Sequence, residues 1–267
     1  MHPMLNIAVR AARAAGKEVV RAFEQPDKTE VQSKGSNGIT TNINVSAEEV
    51  MIDVIKKSYP KHTIIGEESG LITGEEADVQ WVISSIDGTT NFIKAIPHFS
   101  VTIAIKVKGK IDQAVVYDPI RGELFSASRG KGAQLNGTRL RVSQPKELAS
   151  TVLATNFPVK HKQHTTPYMA MLQSLFTKTS AIRQTGSSSL DLAYVAAGRV
   201  DGFFEIGLKP WNYAAGELLI VEAGGIVADF TGNNNQEKSG NVVAASTKVL
   251  REVLKDIRPN LGEALSK

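Results

Sequence analysis

Two changes of hydrophobic period divide this chain of 267 residues, and they restrict its fold more than any other feature. Leu5, Val9, Ala12, Ala15, Val19 and Phe23 recur near helical spacing, with Arg10, Arg13, Lys17 and Arg21 elsewhere, which predicts an amphipathic helix. Ser46-Ala47-Glu48-Glu49 reads as a capping box opening a second helix through Val50, Met51, Val54 and Ile55, which Pro60 stops. Thr63-Ile64-Ile65 predicts a short strand ending at Gly66-Glu67-Glu68-Ser69. From Ser100 to Val142 the period becomes two. Val101, Ile103 and Ile105 alternate with Thr102, Ala104 and Lys106, and Lys108-Gly109, Asp118-Pro119 and Asn136-Gly137 mark the turns of an antiparallel meander. From Thr151 onward strands and helices alternate. Strands are expected at Thr151 to Ala154, Phe203 to Glu205, Ile226 to Phe230 and Val242 to Ala245. Helices are expected near Tyr168 to Phe176, over Ser189 to Ala197 and Ala214 to Ala223, and from Lys248. The expectation is an α/β chain: an α+β half over 1–147 and an α/β half over 148–267, packed as one body. Asn233-Asn234-Asn235 reads as a surface loop and Trp211 as core.

Composition narrows the chemistry. The absence of cysteine excludes disulfides, thiolate metal sites and cysteine nucleophiles. A net charge of +4, from 31 basic and 27 acidic residues, is spread along the chain and selects no partner class. No apolar stretch is long enough to span a bilayer, and Met1-His2-Pro3-Met4 leads into a charged helix rather than a signal peptide. A soluble cytoplasmic protein without a membrane partner is expected.

Polar residues cluster at the expected strand ends in a way that suits phosphate chemistry. Magnesium takes hard oxygen ligands, and two such ions can clamp a phosphoryl group and activate water. Glu67 and Glu68 end one strand, and Asp87-Gly88-Thr89-Thr90 follows another. Backbone N–H groups at a helix start there would cradle phosphate. Gly186-Ser187-Ser188 is a second small-residue turn, Glu205 ends a strand, and Trp211-Asn212 precedes a helix. Taken singly, each has a plainer reading as a solvated pair, a turn, a cap or a core residue.

In order and spacing, Gly66 to Ser69, Trp81 to Phe92, Leu190 to Ala193, Phe203 to Glu205 and Trp211 to Gly225 resemble the inositol monophosphatase family over essentially the whole chain. The resemblance is strongest to bacterial members that also act as Nus-type transcription antitermination factors. It implies a layered αβαβα sugar-phosphatase fold, usually a homodimer, with magnesium-dependent hydrolysis of inositol or similar polyol phosphates. Carried over by position, Glu67 holds a first metal and, with Thr89, orients the attacking water. The Ile86 carbonyl reaches the same metal, and Asp87 holds a second. Gly88 and Thr89 bind phosphate; Gly186, Ser187 and Glu205 contact the inositol ring.

The chain departs from that pattern. Ser84 stands where the family has the Asp that bridges both metals, and Ser85 replaces the proline after it. Asn212 replaces a second-metal Asp, and Asn44 an Asp that supports the site. Weakened Mg2+ binding and weak or absent catalysis are therefore expected, with a binding role beside Nus factors or RNA polymerase. The alternatives are an active phosphatase using Glu67, Asp87, Thr89 and either Glu68 or Asn212, or a phosphate or polyol sensor built on Gly88, Thr89 and Glu205.

Overall fold

The computed structural model describes residues 2–33 and 38–265. Helix α1 (Pro3–Phe23) begins with proline in its first turn, and His2 Nδ1 accepts the Met4 N–H at 3.3 Å. Its buried face is rich in alanine, which lets α2 (Asn42–Ser58) approach closely. Between the two helices lies a hairpin of β1 (Val31–Ser33) and β2 (Ile39–Thr41).

The start of α2 corrects the sequence reading. The capping residue is Thr41, not Ser46: Thr41 Oγ1 accepts the Asn44 N–H at 3.2 Å, and Asn44 Oδ1 accepts the Thr41 N–H at 3.2 Å. Ser46 lies inside the helix and donates to the Ile43 carbonyl. Burying Ile43 and Ala47 extends the apolar face a turn earlier, to the end of β2.

The first half continues through β3 (His62–Gly66), β4 (Gly70–Ile72), β5 (Glu76–Asp87), the short helix α3 (Thr89–Ile93) and the expected meander. That meander comprises β6 (Ser100–Val107), β7 (Lys110–Asp118), β8 (Glu123–Ser128), β9 (Gly132–Leu135) and β10 (Thr138–Arg139). These strands form one sheet in the order β10-β9-β8-β7-β6-β5-β3-β4, parallel only between β3 and β5. The second half adds β11 (Val152–Thr155), α4 (Thr165–Phe176), β12 (Ala181–Gln184), α5 (Ser188–Ala196), β13 (Gly202–Glu205), α6 (Pro210–Glu222), β14 (Ile226–Ala228), α7 (Gln236–Ser239), β15 (Val242–Ala245) and α8 (Thr247–Ile257). Its sheet runs β12-β11-β13-β15-β14.

Side chains alternate across each strand and so sort into layers. Trp81, Ile83, Ile103 and Ile105 pack toward α1 and α2. Val82 and Ala104 face the other way, onto α5 and α6. Those two helices also receive Ala154, Phe203, Val242 and Ala244 from the second sheet. Leu153, Phe204, Val243 and Ala245 point outward to α4 and α8. The result is the expected α/β fold of five layers, helix–sheet–helix–sheet–helix. Trp211 packs against the middle core layer, and Asn233 and Asn234 are exposed, as read from the sequence. Among the described residues no helix is long and apolar enough to cross a membrane.

Candidate active site

The polar residues singled out in the sequence meet where strand ends of both sheets approach the starts of α5 and α6. β3 and β5 run parallel, so Glu67 and the Ser84–Asp87 segment emerge side by side. A bulge between Ser84 and Asp87 sets two residues of β5 against one of β6 and turns Asp87 toward the second half. Gly88 then adopts φ 101° and Gly186 φ 88°. A Cβ on Gly88 would lie 3.3 Å from the Gly186 carbonyl, so the glycine pair lets the two loops touch. Helix α3 starts at Thr89 as expected but spans only five residues.

Three neutral side chains donate into the centre of the site. Ser84 Oγ donates to Glu67 Oε2 at 2.7 Å. Asn212 Nδ2 donates to Asp87 Oδ1 at 3.1 Å, and Asn44 Nδ2 donates to Thr89 Oγ1 at 3.1 Å. The two asparagines share one geometry. Each is the third residue of a helix, and each turns its oxygen to the N–H of the residue before that helix, Thr41 or Lys209, at 3.2 Å. That bond fixes the amide orientation, so the end facing the site is a donor.

The second oxygen of Asp87 and the Ile86 and Asn44 carbonyls are filled from the protein. Asp87 Oδ2 takes Ser187 Oγ at 2.6 Å and the Ser189 N–H at 2.8 Å. Thr89 Oγ1 donates to the Ile86 carbonyl at 3.1 Å, and Ser85 Oγ donates to the Asn44 carbonyl at 2.7 Å. Glu68, half-buried, gives its N–H to Glu48. Among the described residues no group of three or more His, Cys, Asp or Glu stands close enough to hold a metal.

A second wing surrounds Glu205. Its Oε2 accepts from Ser188 Oγ at 2.7 Å and Asn156 Nδ2 at 2.9 Å. Asn156 also reaches Asp191 Oδ2 at 3.2 Å, and its oxygen accepts the Gly186 N–H at 2.8 Å. Burial pushes Glu205 up to about 7 against the opposing hydrogen bonds, and it raises Asp191 well above the usual carboxylate range. Glu67 is likewise pushed up to about 7, chiefly by desolvation and against the Ser84 hydrogen bond. The residue keeps some exposed surface, but ionisation responds to the enclosure of the carboxyl group itself.

Sequence reasoning assigned no site role to Asn156, Asp191 or Glu48. Glu48 is buried in α2 and accepts the Glu68 and Ser69 N–H groups at 3.1 and 2.7 Å, so it shapes the turn that presents Glu67. A Cβ on Gly66 would fall 2.2 Å from Glu48 Oε1, and this position accordingly carries glycine. Asn156 directly follows β11 and lies two residues past the predicted strand at Thr151 to Ala154, much as Glu205 ends its own, and that parallel is the signal available beforehand.

The sequence pattern of the inositol monophosphatase family matches residues 1–262. The chain belongs to the inositol monophosphatase family. A relative from Escherichia coli (strain K12), named Nus factor SuhB, is 58% identical over 267 residues and covered in full, as is this chain. The Nus factor SuhB of Vibrio cholerae is 51% identical over the same full lengths. Among solved structures, the extragenic suppressor protein suhB of Bartonella henselae superposes with a TM-score of 0.94 at 37% identity, over 96% of this chain and 99% of that one. The Thermotoga maritima IMPase superposes with a TM-score of 0.88 at 32% identity, over 98% and 100%. The family resemblance and the layered fold expected from the sequence both hold.

Proposed function

We propose that this member of a phosphatase family has weak or no magnesium-dependent hydrolysis and works chiefly as a binding protein, in transcription antitermination of the Nus type. One observation carries the reading. Ser84, Asn212 and Asn44, where the sequence resemblance implies Asp, point hydrogen-bond donors at Glu67, Asp87 and Thr89. A divalent ion needs acceptors there. Each lost charge weakens an ion's hold by about 4 kcal/mol per elementary charge of the ion at about 4 Å and an effective dielectric of about 20. The donor set therefore does not fit a magnesium pair.

The binding role is supported by full-length similarity at 58% identity to a relative named as a Nus factor. Nus proteins or RNA polymerase are the proposed partners, and a homodimer the proposed assembly. Glu205, with Gly186, Ser187 and Asn156 bonded around it, is the proposed hydroxyl-binding wing, so binding of a polyol phosphate is proposed to outlast its hydrolysis.

The test is phosphate release from inositol 1-phosphate across a magnesium titration, run beside the triple variant Asn44→Asp, Ser84→Asp, Asn212→Asp. A silent chain beside an active variant is expected. Ready turnover by the unmodified chain overturns the reading and favours a phosphatase with a rearranged shell. Failure to retain Nus proteins or polymerase in a pulldown overturns the partner assignment.

A further inference from the structure

Helix α1 presents charge of one sign to solvent. Its buried face, from Leu5 to Ala22, belongs to the core shared with α2 and the first sheet. The opposite face exposes Pro3, Asn6, Arg10, Arg13, Lys17 and Arg21. From Arg10 to the end of the helix, every exposed residue is therefore a cation. Helical rise spreads these cations over about 16 Å, with neighbours about 5–6 Å apart.

Like charges at this spacing repel and destabilise a helix, and interspersed acids relieve the cost. Here one acid serves the stripe: Glu18, which meets Arg21 at 3.4 Å. Among the described residues, Arg10, Arg13 and Lys17 make no hydrogen bond or ion pair. The neighbouring α2 exposes Glu49 and Asp53, and neither pairs with the stripe. A straight row of cations thus stands without counter-charge from the protein.

The chemistry of the row selects its occupant. A protein partner ordinarily meets an apolar centre within a polar rim, and the exposed positions from Arg10 onward offer no apolar side chain. An amphipathic helix on a bilayer inserts its apolar face, which in α1 is committed to the core. Phosphates along a flexible strand need only charge and donors at regular intervals, and the arginine fork suits phosphate oxygens. The stripe carries no aromatic ring for base stacking and no amide for base edges. We propose that the exposed face of α1 docks single-stranded RNA through its phosphates, without reading its sequence. The choice of RNA rests on the antitermination role proposed above, in which the transcript is the free strand.

The experiment is fluorescence anisotropy of a labelled single-stranded RNA of about 12 nucleotides, titrated with the full chain across a salt series. Binding at about 100 μM or tighter is expected in about 50 mM salt, weakening as salt rises. Arg10→Gln, Arg13→Gln and Lys17→Gln together, all at exposed positions, should weaken it about tenfold or more and flatten the salt slope by about 2. The exposed Lys110, Lys131 and Lys238, changed together to Gln, remove the same charge elsewhere and should leave binding nearly intact. No binding at that concentration, equal loss in both triple variants, or competition by polyglutamate or phosphatidylglycerol vesicles as strong as by unlabelled RNA would each overturn the proposal. Tighter binding of DNA, single-stranded or duplex, would overturn the choice of RNA. The Nus pulldown is a separate readout: absent RNA binding beside retained Nus proteins sinks this inference alone.

Discussion

The two wings of the strand-end site are built from similar parts and differ in how their carboxyl groups are satisfied. Around Glu205, buried carboxyl groups persist: Glu205 and Asp191 share the Asn156 amide, and desolvation keeps protons near them. Around Asp87, neutral side chains point donors inward, and the carboxylates of Glu67 and Asp87 accept from Ser84, Ser187 and Asn212. One wing holds buried carboxyl groups. The other turns hydrogen-bond donors toward its carboxylates. Within one scaffold, side-chain identity thus decides whether a strand end offers acceptors or donors.

The sharpest challenge to this comparison is Asp87→Ala. In a cluster of uncompensated acids, removing one relieves repulsion and stabilises the fold. Here it strands the Ser187 hydroxyl, the Ser189 N–H and the Asn212 amide in a buried place. A loss of about 3 kcal/mol or more is expected in chemical denaturation, and a gain in stability would break the account. Next in size is Ser84→Asp alone, which sets a second carboxylate against Glu67. Without magnesium this variant should lose about 2 kcal/mol, and thermal melts should recover on adding the ion.

On the other wing the test is pH dependence. Glu205 has a folded pKa of about 7 against an ordinary 4.5, so between those values the folded chain holds a proton that the unfolded chain has released. Stability must then fall as pH rises through that window and level off above it, with a slope of up to about 1.4 kcal/mol per pH unit for this group. Glu205→Gln should flatten the slope by up to that amount; an unchanged slope would remove Glu205 as its source. The smallest effect is expected for Asn44→Ala, which loses the bond to the Thr41 N–H and the donor to Thr89. About 1 kcal/mol by denaturant titration is appropriate to a lost cap.

Much of the fold is legible in the sequence because successive residues of a strand fall on opposite faces, which here are both buried. Val82 and Ile83 face opposite layers by position, as do Phe203 and Phe204. The start of α2 is not legible in that way. Thr41 and Ser46 both offer local capping chemistry, and only the packing of Ile43 and Ala47 against the sheet decides between them. The candidate site is legible where a residue follows a strand end, as with Glu67, Asp87 and Glu205. It is hidden where a role depends on a distant partner. Asn156 reaches across 35 residues to Asp191 and 49 to Glu205, and Glu48 across 20 to Glu68. Asp191 lies among Leu190, Leu192 and Ala193, and a lone acid in an apolar run is the one sequence hint it leaves.

Magnesium binding itself tests the central claim most directly. Calorimetric titration of the ion into the full chain and into the Asn44→Asp, Ser84→Asp, Asn212→Asp variant compares the two donor sets without relying on turnover. The account predicts no saturable binding by the unmodified chain at millimolar magnesium and clear binding by the variant. Equal, tight binding by both would contradict it.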